Sequence, residues 1–350
     1  MCATLDARGI FGYFGFNRMN WRALTGSALL WSWSAFSNTV STQSFYVGMC
    51  DASAAVAINN ELFAVANDED NSLRVYNAAK GGAPVYRHDL STVLRVDKKK
   101  AETDLEGASW LGDRIFWISS HGRNKDGEYR ASRHRFFATR VEERDGRLHL
   151  APVGRVYPNL LSDLLHDSRL RPFRLDLASR LAPKAIGGLN IEGLCATPED
   201  HLLVGFRNPI PQRQALIVPI VNPSEVVGGK PARLGSPVLL NLGGRGIRDI
   251  VRWQNRYIIL AGAHDNSANS RMFEWEGGSA QPRELGDNKF TNFNPEAVIV
   301  YPETSKPLQL LSDDGTQLLN GVPCKTLKNP DQRSFRGMWV APALPVESEE

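Results

Sequence analysis

The segment TDLEGASWLGDRIFWISS, residues 103–120, places an acidic residue and a glycine directly before a short apolar run, a turn and a second apolar run. The same pattern returns in NIEGLCATPEDHLLVGF (190–206) and NPEAVIVYPETSKPLQLLSDDG (294–315), and in weaker form in RDIVRWQNRYIILAGAHD (248–265) and DASAAVAINNELFAVANDED (51–70). A pattern that recurs along a chain is the signature of a repeat architecture. The fold is therefore predicted first from this repeat.

The spacing of the repeat defines units of similar length, with one exception. The intervals between equivalent positions are 53, 86, 57 and 47 residues, when those positions are taken as Ser53, Glu106, Glu192, Asp249 and Glu296. The long interval contains residues 158–186, in which leucines recur at helical spacing, namely Leu160, Leu161, Leu164 and Leu165. We interpret this stretch as a helical insertion, and its removal leaves units of about 50 residues.

Each unit is predicted to contain four short strands. In the second unit, runs of β-branched and aromatic residues alternate with turns, and Glu-Arg-Asp-Gly at 143–146 joins the last two runs as a hairpin. Four strands in a unit of about 50 residues indicate an all-β β-propeller. We predict five blades, with a sixth blade in the 158–186 region as the alternative. The predicted organisation is an N-terminal extension (1–43), one propeller domain (44–343) and an acidic tail (344–350).

A propeller brings the repeated acids together. The first strand of each blade lines the central channel, so the acids that precede these strands should converge at one end of it. A second set of polar residues follows the second strand of each unit, and antiparallel pairing places both sets on the same face. The second set comprises Asn67-Asp68-Glu69, Ser120-His121, Arg207-Asn208, His264-Asp265 and Asp313-Asp314.

A dense ring of carboxylates needs compensating charge, because like charges raise each other's pKa or recruit a cation. Oxygen ligands suit Ca²⁺ or Mg²⁺, and we expect a Ca²⁺ held by three or four of six candidate acids: Glu106, Glu192, Asp249, Glu296, Asp68 and Asp313. Such a site can activate water for ester hydrolysis. The expected catalytic residues are Glu106 and Glu192, with His121 or His264 transferring the proton, while Arg207 and Arg248 bind an anionic substrate.

A structural explanation of the same acids stands beside this one. Carboxylates at the start of a strand can accept hydrogen bonds from backbone N–H groups of the neighbouring blade and hold the blades in register. The sequence lacks a G-x-S-x-G elbow, a Walker loop and an H-E-x-x-H motif, which disfavours serine-hydrolase, nucleotide-binding and zinc-peptidase chemistry.

Composition restricts the partners and the compartment. The net charge of +3 in 350 residues shows no basic footprint for nucleic acid, so no nucleic-acid partner is expected. No stretch is long enough to span a bilayer reliably, so no membrane span is expected, and we expect a monomer. The four cysteines have no metal-ligand spacing and are interpreted as thiols. A signal-like stretch begins at Met19, which predicts a periplasmic or secreted protein if it is a signal peptide and a cytoplasmic one otherwise.

Several phrases resemble a known family. DLEGASW, NIEGLCA, GIRDIVRW and NPEAVIV, with SSHGRNKDGEYRASRHRFFATRV at 119–141, resemble the bacterial family called domain of unknown function 3616, over about residues 44–343.

The acid that opens each blade is also distantly similar to esterase-like phytases and calcium-dependent propeller hydrolases. This second resemblance implies a calcium-supported esterase or phosphoesterase site on Glu106, Glu192, Asp249 and Glu296. The first blade departs from the pattern with Ser53, unless Asp51 substitutes, and a dense lysine clamp is absent.

Two functions are consistent with the sequence. The first is a Ca²⁺-supported hydrolase of a small anionic ester or phosphoester at the axial face. The alternative is a non-catalytic propeller that binds a ligand or protein partner on its loop face, with the 158–186 insertion as the contact. If the leucines of the insertion are buried against the propeller, the insertion is instead a blade cover.

Overall fold

The computed structural model describes residues 43–96, 102–265, 267, 270–286, 290–303 and 305–341. The signal-like segment that begins at Met19 and the acidic tail 344–350 lie outside the described residues. The described chain forms five four-stranded antiparallel sheets arranged as a five-bladed propeller, which confirms the predicted fold class. No described helix is long and apolar enough to cross a membrane.

The strands follow the chain in blade order, after one strand that precedes the first blade. This strand is β1 (Ser44–Val47). Blade 1 consists of β2 (Ala55–Ala57), β3 (Leu62–Ala66), β4 (Ser72–Asn77) and β5 (Tyr86–Asp89). Blade 2 consists of β6 (Leu105–Leu111), β7 (Arg114–Ser119), β8 (Phe136–Arg144) and β9 (Arg147–Tyr157). The hairpin predicted at 143–146 joins β8 to β9, with Asp145 and Gly146 at positive φ in its tip.

The insertion separates blades 2 and 3, as predicted. It contains α1 (Leu160–His166), a 3₁₀ segment (Ser168–Phe173) and α2 (Leu175–Ala178). Blade 3 then consists of β10 (Asn190–Ala196), β11 (Leu202–Asn208), β12 (Ala215–Ile220) and β13 (Val238–Leu240), with the short α3 (Pro223–Val226) before β13.

The remaining strands form blades 4 and 5. Blade 4 consists of β14 (Gly246–Trp253), β15 (Arg256–Gly262), β16 (Arg271–Trp275) and β17 (Arg283–Glu284). Blade 5 contains β18 (Pro295–Ile299), β19 (Leu308–Ser312) and β22 (Ser334–Val340), and the small hairpin β20 (Leu318–Leu319) and β21 (Val322–Pro323) lies between the last two.

The ring closes through strand β1. This strand pairs with β22 and is the outermost strand of blade 5, so the two ends of the propeller share one sheet. A disulfide between Cys50 and Cys324 joins the segment after β1 to the loop before β22. The interpretation of these two cysteines as thiols is therefore wrong. Cys195 is a buried free thiol.

The insertion covers the edge of blades 2 and 3. Leu160 and Leu164 are buried with side chains of both blades, whereas Leu165 is 37% exposed. Asp163 Oδ2 accepts hydrogen bonds from the Tyr157 hydroxyl and the Ala232 backbone N–H, at 2.6 and 2.9 Å, and so ties α1 to both blades. The buried leucines agree with a blade cover rather than with a fully exposed apolar stripe.

A β-bulge explains the acid-glycine pair of the repeat. In β6 the pairing with β7 passes from Leu105 to Gly107, and in β10 the pairing with β11 passes from Ile191 to Gly193, so Glu106 and Glu192 are left outside the register. A Cβ atom at Gly107 would lie 3.0 Å from the Glu192 carbonyl oxygen of the next blade. Glycine is needed there because the inner strands of neighbouring blades approach closely.

Candidate functional site

The starts of the inner strands surround one pocket of about 520 Å³, which we call the axial pocket. Nine acidic and five basic side chains line it. The acidic ones are Asp68, Glu69, Glu102, Asp104, Glu106, Asp126, Glu192, Glu296 and Asp313; the basic ones are Lys125, Arg133, Lys184, Arg207 and Lys325. Of the site residues predicted from sequence, six lie here: Asp68, Glu106, Glu192, Arg207, Glu296 and Asp313.

Blade 4 departs from the predicted pattern by one residue. Its bulge lies between Ile247 and Asp249, so Arg248 occupies the position that Glu106 and Glu192 hold in their blades. The Arg248 guanidinium forms an ion pair with Glu296. The sequence alignment of Asp249 with the other acids was therefore wrong by one position, because the bulge residue and not the acid of the motif is the equivalent one.

Asp249 joins two blades and does not line the axial pocket. Its two carboxylate oxygens accept hydrogen bonds from the backbone N–H groups of Ile250 and, in blade 5, Val298, both at 2.7 Å. Burial raises the pKa of Asp249 to about 8, against the effect of these two hydrogen bonds. The assignment of Asp249 as a metal ligand is corrected to a contact that links the blades, since both oxygens already have donors.

The predicted histidines lie away from the axial pocket. His121 is buried, its Nδ1 lies 2.8 Å from the Ser119 carbonyl oxygen, and its ring packs against that of His134. Burial and the neighbouring His134 lower the pKa of His121 to about 3, so it is neutral at physiological pH. His264 is partly exposed on the loop after β15 and is not part of the pocket wall. Neither histidine is placed to transfer a proton in this pocket.

Glu192 and Arg207 form a buried ion pair in the wall of the pocket. Arg207 Nη1 donates to Glu192 Oε1 at 2.6 Å, and Arg207 Nε donates to the Ala263 carbonyl oxygen at 3.0 Å. Asn190 Nδ2 donates to the same Glu192 oxygen at 2.7 Å. This network fixes both charged groups in one geometry, which suits the binding of an anion more than proton transfer.

Glu106 differs from Glu192 because it has no hydrogen bond or ion pair with any described residue. Burial and the charges of Asp104, Glu192 and Asp68 raise its pKa well above the usual range. Glu296, at the bulge of β18, also has a raised pKa of about 7, because burial and Asp313 outweigh its ion pair with Arg248. A carboxyl group in a cleft that has a raised pKa and no ion-pair partner, as Glu106 has, is typical of a general acid.

A second carboxylate group forms beside blade 1. Asp51, Asp68 and Glu69 each offer one oxygen, and the three atoms lie within 4.8 Å of one another. Burial, followed by Asp313 and Glu69, raises the pKa of Asp51 to about 9. Gly315 makes room for this side chain, since a Cβ there would lie 1.8 Å from Asp51 Oδ1. We call Asp51, Asp68 and Glu69 the blade-1 acid group.

Two buried oxygens in the wall of the axial pocket have no hydrogen-bond donor among the described residues. They are Asp68 Oδ1 and Asn190 Oδ1, and both residues line the axial pocket. A buried oxygen without a donor carries a desolvation penalty that a bound cation removes. The candidate metal-ligand atoms are carboxylate and amide oxygens, which fit Ca²⁺. Two oxygens on opposite sides of a Ca²⁺ ion, each at 2.3–2.6 Å from it, lie about 5 Å apart, which matches the separation within the blade-1 acid group.

Several lining residues were missed by the sequence analysis. They include Lys125, Lys184 and Lys325, which come from loops without any repeated signal. Asp51, which belongs to the blade-1 acid group, was named only as an alternative to Ser53. Lys325 Nζ lies 3.5 Å from Glu69, and the disulfide partner Cys324 precedes it directly. Cys50 directly precedes Asp51, and Cys324 directly precedes Lys325, so pairing these two cysteines would have predicted that the two segments lie together.

The insertion reaches the rim of the pocket. Asn208 Nδ2 donates to the carbonyl oxygens of Pro183 and Ala185, at 2.9 and 2.7 Å, and Arg123 Nε donates to the Ser179 carbonyl oxygen at 2.9 Å. These contacts hold the exposed Lys184 beside the acidic wall. The insertion therefore contributes to the site as well as covering the blades.

Comparison with known proteins adds a family match. Residues 136–297 match the family described as "Protein of unknown function (DUF3616)". The match runs from β8 to β18 and agrees with the family resemblance of the sequence motifs. No curated protein matches this chain.

Solved structures of low identity were also found. Glutaminyl cyclase from Myxococcus xanthus is 11% identical, with a TM-score of 0.45, over 87% of this chain and 97% of that one. The PQQ-bound aldose sugar dehydrogenase from Streptomyces coelicolor is 11% identical, with a TM-score of 0.40, over 85% of this chain and 98% of that one. At these values the similarities say nothing about the activity of this chain.

Proposed function

We propose that the axial pocket binds Ca²⁺ and hydrolyses a small anionic ester or phosphoester. The observation that carries the proposal is the buried Asp68 Oδ1, which has no donor among the described residues and belongs to the blade-1 acid group. Carboxylates whose pKa values are raised by one another gain most from a hard cation, because the cation removes both the repulsion and the desolvation penalty.

The blade-1 acid group would hold the ion, with Asp313 beside it. Bound there, Ca²⁺ supplies Lewis-acid polarisation of an acyl or phosphoryl oxygen and lowers the pKa of water. Glu106 is the proposed general acid, because burial and the neighbouring acids raise its pKa and favour the protonated form that can donate to the leaving group. This role replaces the proton transfer that the sequence analysis assigned to His121 or His264.

The cationic side chains of the pocket favour an anionic substrate. Arg207 lines the pocket and is held in position by Glu192. Arg248 does not line this pocket, but it forms an ion pair with the lining residue Glu296. Lys125, Lys184 and Lys325 stand exposed at the rim. The exposed cations at the rim attract an anionic substrate, and the acidic side chains of the pocket remain available to bind the metal ion.

The disulfide supports an oxidising compartment. Disulfides persist in secreted and periplasmic proteins and are rare in the cytosol. We therefore favour the periplasmic or secreted destination of the two that the sequence analysis left open. The resemblance to calcium-dependent propeller hydrolases remains a hypothesis.

Partner binding through the insertion is the second candidate function. It is favoured by one observation, namely that Ile186 is 87% exposed and Leu177 and Leu181 are 45% and 42% exposed. These apolar side chains follow the buried leucines of α1 and face no part of the described propeller core. A non-catalytic role predicts that the axial variants described next bind partners normally and that no ester is hydrolysed.

The test is turnover of two anionic probe substrates, p-nitrophenyl phosphate and bis(p-nitrophenyl) phosphate, by EDTA-treated protein with and without added Ca²⁺. The proposal expects Ca²⁺-dependent release of p-nitrophenol, and a loss of about 100-fold or more for Glu106→Gln, which removes the proton donor. Glu143→Gln, on the exposed end of β8, is the matched control and should retain full activity. Equal turnover by the chelated and the Ca²⁺-loaded protein would overturn the proposal.

A further inference from the structure

The inner strands also surround a second cavity, at the opposite end of the channel. Its volume is about 660 Å³, and all five blades contribute to its wall. The lining residues lie towards the ends of the inner strands and in the turns that follow, whereas the axial pocket lies at the strand starts. The contributing segments are 55–58, 108–110, 194–197, 250–252, 254–255, 298 and 300–302.

The wall of this cavity is mainly apolar. Small and branched side chains such as Ala108, Val251 and Val300 predominate. Two polar groups of the wall are used between blades: Trp110 Nε1 donates to the Ala57 carbonyl oxygen at 2.7 Å, and the Ala196 N–H donates to Ser109 Oγ at 2.9 Å. The surface left for a ligand is therefore mainly hydrocarbon, with a smaller polar part that includes Thr197, Gln254 and Asn255.

One charged group stands at this cavity. Arg252 is exposed at its edge, and its Nη2 donates to Asn255 Oδ1 at 3.1 Å. No carboxylate of the described residues lies within ion-pair distance of Arg252. The guanidinium thus has donors left for an anion.

We propose that this cavity binds an amphipathic carboxylate, with its hydrocarbon part in the channel and its carboxylate on Arg252. An apolar cavity of 300–1,000 Å³ with a few convergent polar groups is the usual form of a small-molecule site. Charge complementarity selects the anion, because Arg252 is the only ionisable cation among the described lining residues. The axial pocket differs from this cavity because charged side chains of both signs line it, so the two ends of the channel take different chemistry.

The test is calorimetric titration of the EDTA-treated protein with decanoate, with 1-decanol as the matched neutral probe. Decanoate is expected to bind with one site per chain, and Arg252→Gln is expected to weaken it about tenfold or more, through loss of a charge-assisted hydrogen bond. Decanol should bind the wild type and Arg252→Gln equally. Arg144→Gln, an exposed arginine at the tip of the β8–β9 hairpin, is the control and should bind decanoate normally.

A second variant separates this cavity from the rest of the surface. Val251→Trp fills the channel and is expected to abolish decanoate binding; Val300→Phe serves the same purpose if the first variant does not fold. An unchanged circular dichroism spectrum verifies the fold of each variant. Absence of decanoate binding to the wild type would overturn the proposal, and so would unchanged binding to a folded cavity-filled variant or to Arg252→Gln.

Discussion

Glu106 in blade 2 and Asp249 in blade 4 occupy neighbouring positions of the repeated unit. Replacing the carboxyl group should nevertheless change the free energy of unfolding differently at the two positions. In Asp249→Ala the backbone N–H groups of Ile250 and Val298 lose their acceptors inside the propeller. Each unsatisfied buried group costs about 1–3 kcal/mol, so the variant should lose about 2–6 kcal/mol of the free energy of unfolding. Asp249→Asn keeps one acceptor and should lose roughly half as much.

Glu106→Gln provides the matched comparison, because Glu106 contacts no donor and is surrounded by other acids. Burial and the neighbouring acids already favour the uncharged form of Glu106, so the neutral amide changes the local charge little and the free energy of unfolding should stay within about 0.5 kcal/mol of the wild type. Equilibrium unfolding in guanidinium chloride, with the disulfide intact and EDTA present, measures both variants. A loss below about 1 kcal/mol for Asp249→Ala, or an equal loss for Glu106→Gln, would refute the distinction between a blade contact and a site residue.

Three further predictions concern pH and redox state. In the folded protein the pKa values of Asp51 and Glu296 are raised to about 9 and about 7, whereas in the unfolded chain they lie near 4. The stability that their neutral forms contribute is therefore fully present below about pH 4 and is lost as the pH rises through the folded pKa values. Without Ca²⁺ the melting temperature should therefore fall from pH 6 to pH 9, and saturating Ca²⁺ should reduce this fall; a rise without Ca²⁺ would contradict the pKa assignment. The pKa of His121 is lowered to about 3, so the stability that its neutral ring contributes is present above pH 6.5 and is lost as the pH falls towards 3. Asparagine tolerates the left-handed backbone at this position, so His121→Asn should fold. This variant should lose less stability between pH 7 and pH 4 than the wild type. Reduction of Cys50–Cys324, or the double Cys→Ser variant, should lower the free energy of unfolding by about 2–5 kcal/mol in denaturant titration, and unchanged unfolding would show that ring closure does not depend on this bond.

The sequence was sufficient to predict the propeller because its signals are local. Alternating strands and turns recur in every unit, and the acid-glycine pair marks a bulge followed by a close approach between inner strands. The helical insertion could be predicted for the same reason, since Leu160 and Leu164 follow one helical period and are buried together. Blade number and the position of the acids at the channel followed from counting these units.

The errors arose where geometry depends on distant residues. Arg248 and Asp249 are adjacent, and only the bulge in the β14–β15 pairing decides which of them takes the position that Glu106 and Glu192 hold in their blades. The disulfide spans 274 residues, and its partners meet only because β1 completes the last blade. The neutral state of His121 follows from burial against His134, which no spacing in the sequence reveals.

Calcium binding at the blade-1 acid group is the central claim, and calorimetric titration of EDTA-treated protein with Ca²⁺ tests it most directly. The wild type should bind one Ca²⁺ with a dissociation constant on the order of micromolar, a value typical of sites built from several carboxylates. Asp68→Asn should weaken binding at least about tenfold, because it removes a ligand charge at the buried oxygen without a donor. Asp126→Asn, an exposed acid at the pocket rim, should bind as the wild type does. No heat of binding, or equal affinity in Asp68→Asn, would contradict the claim.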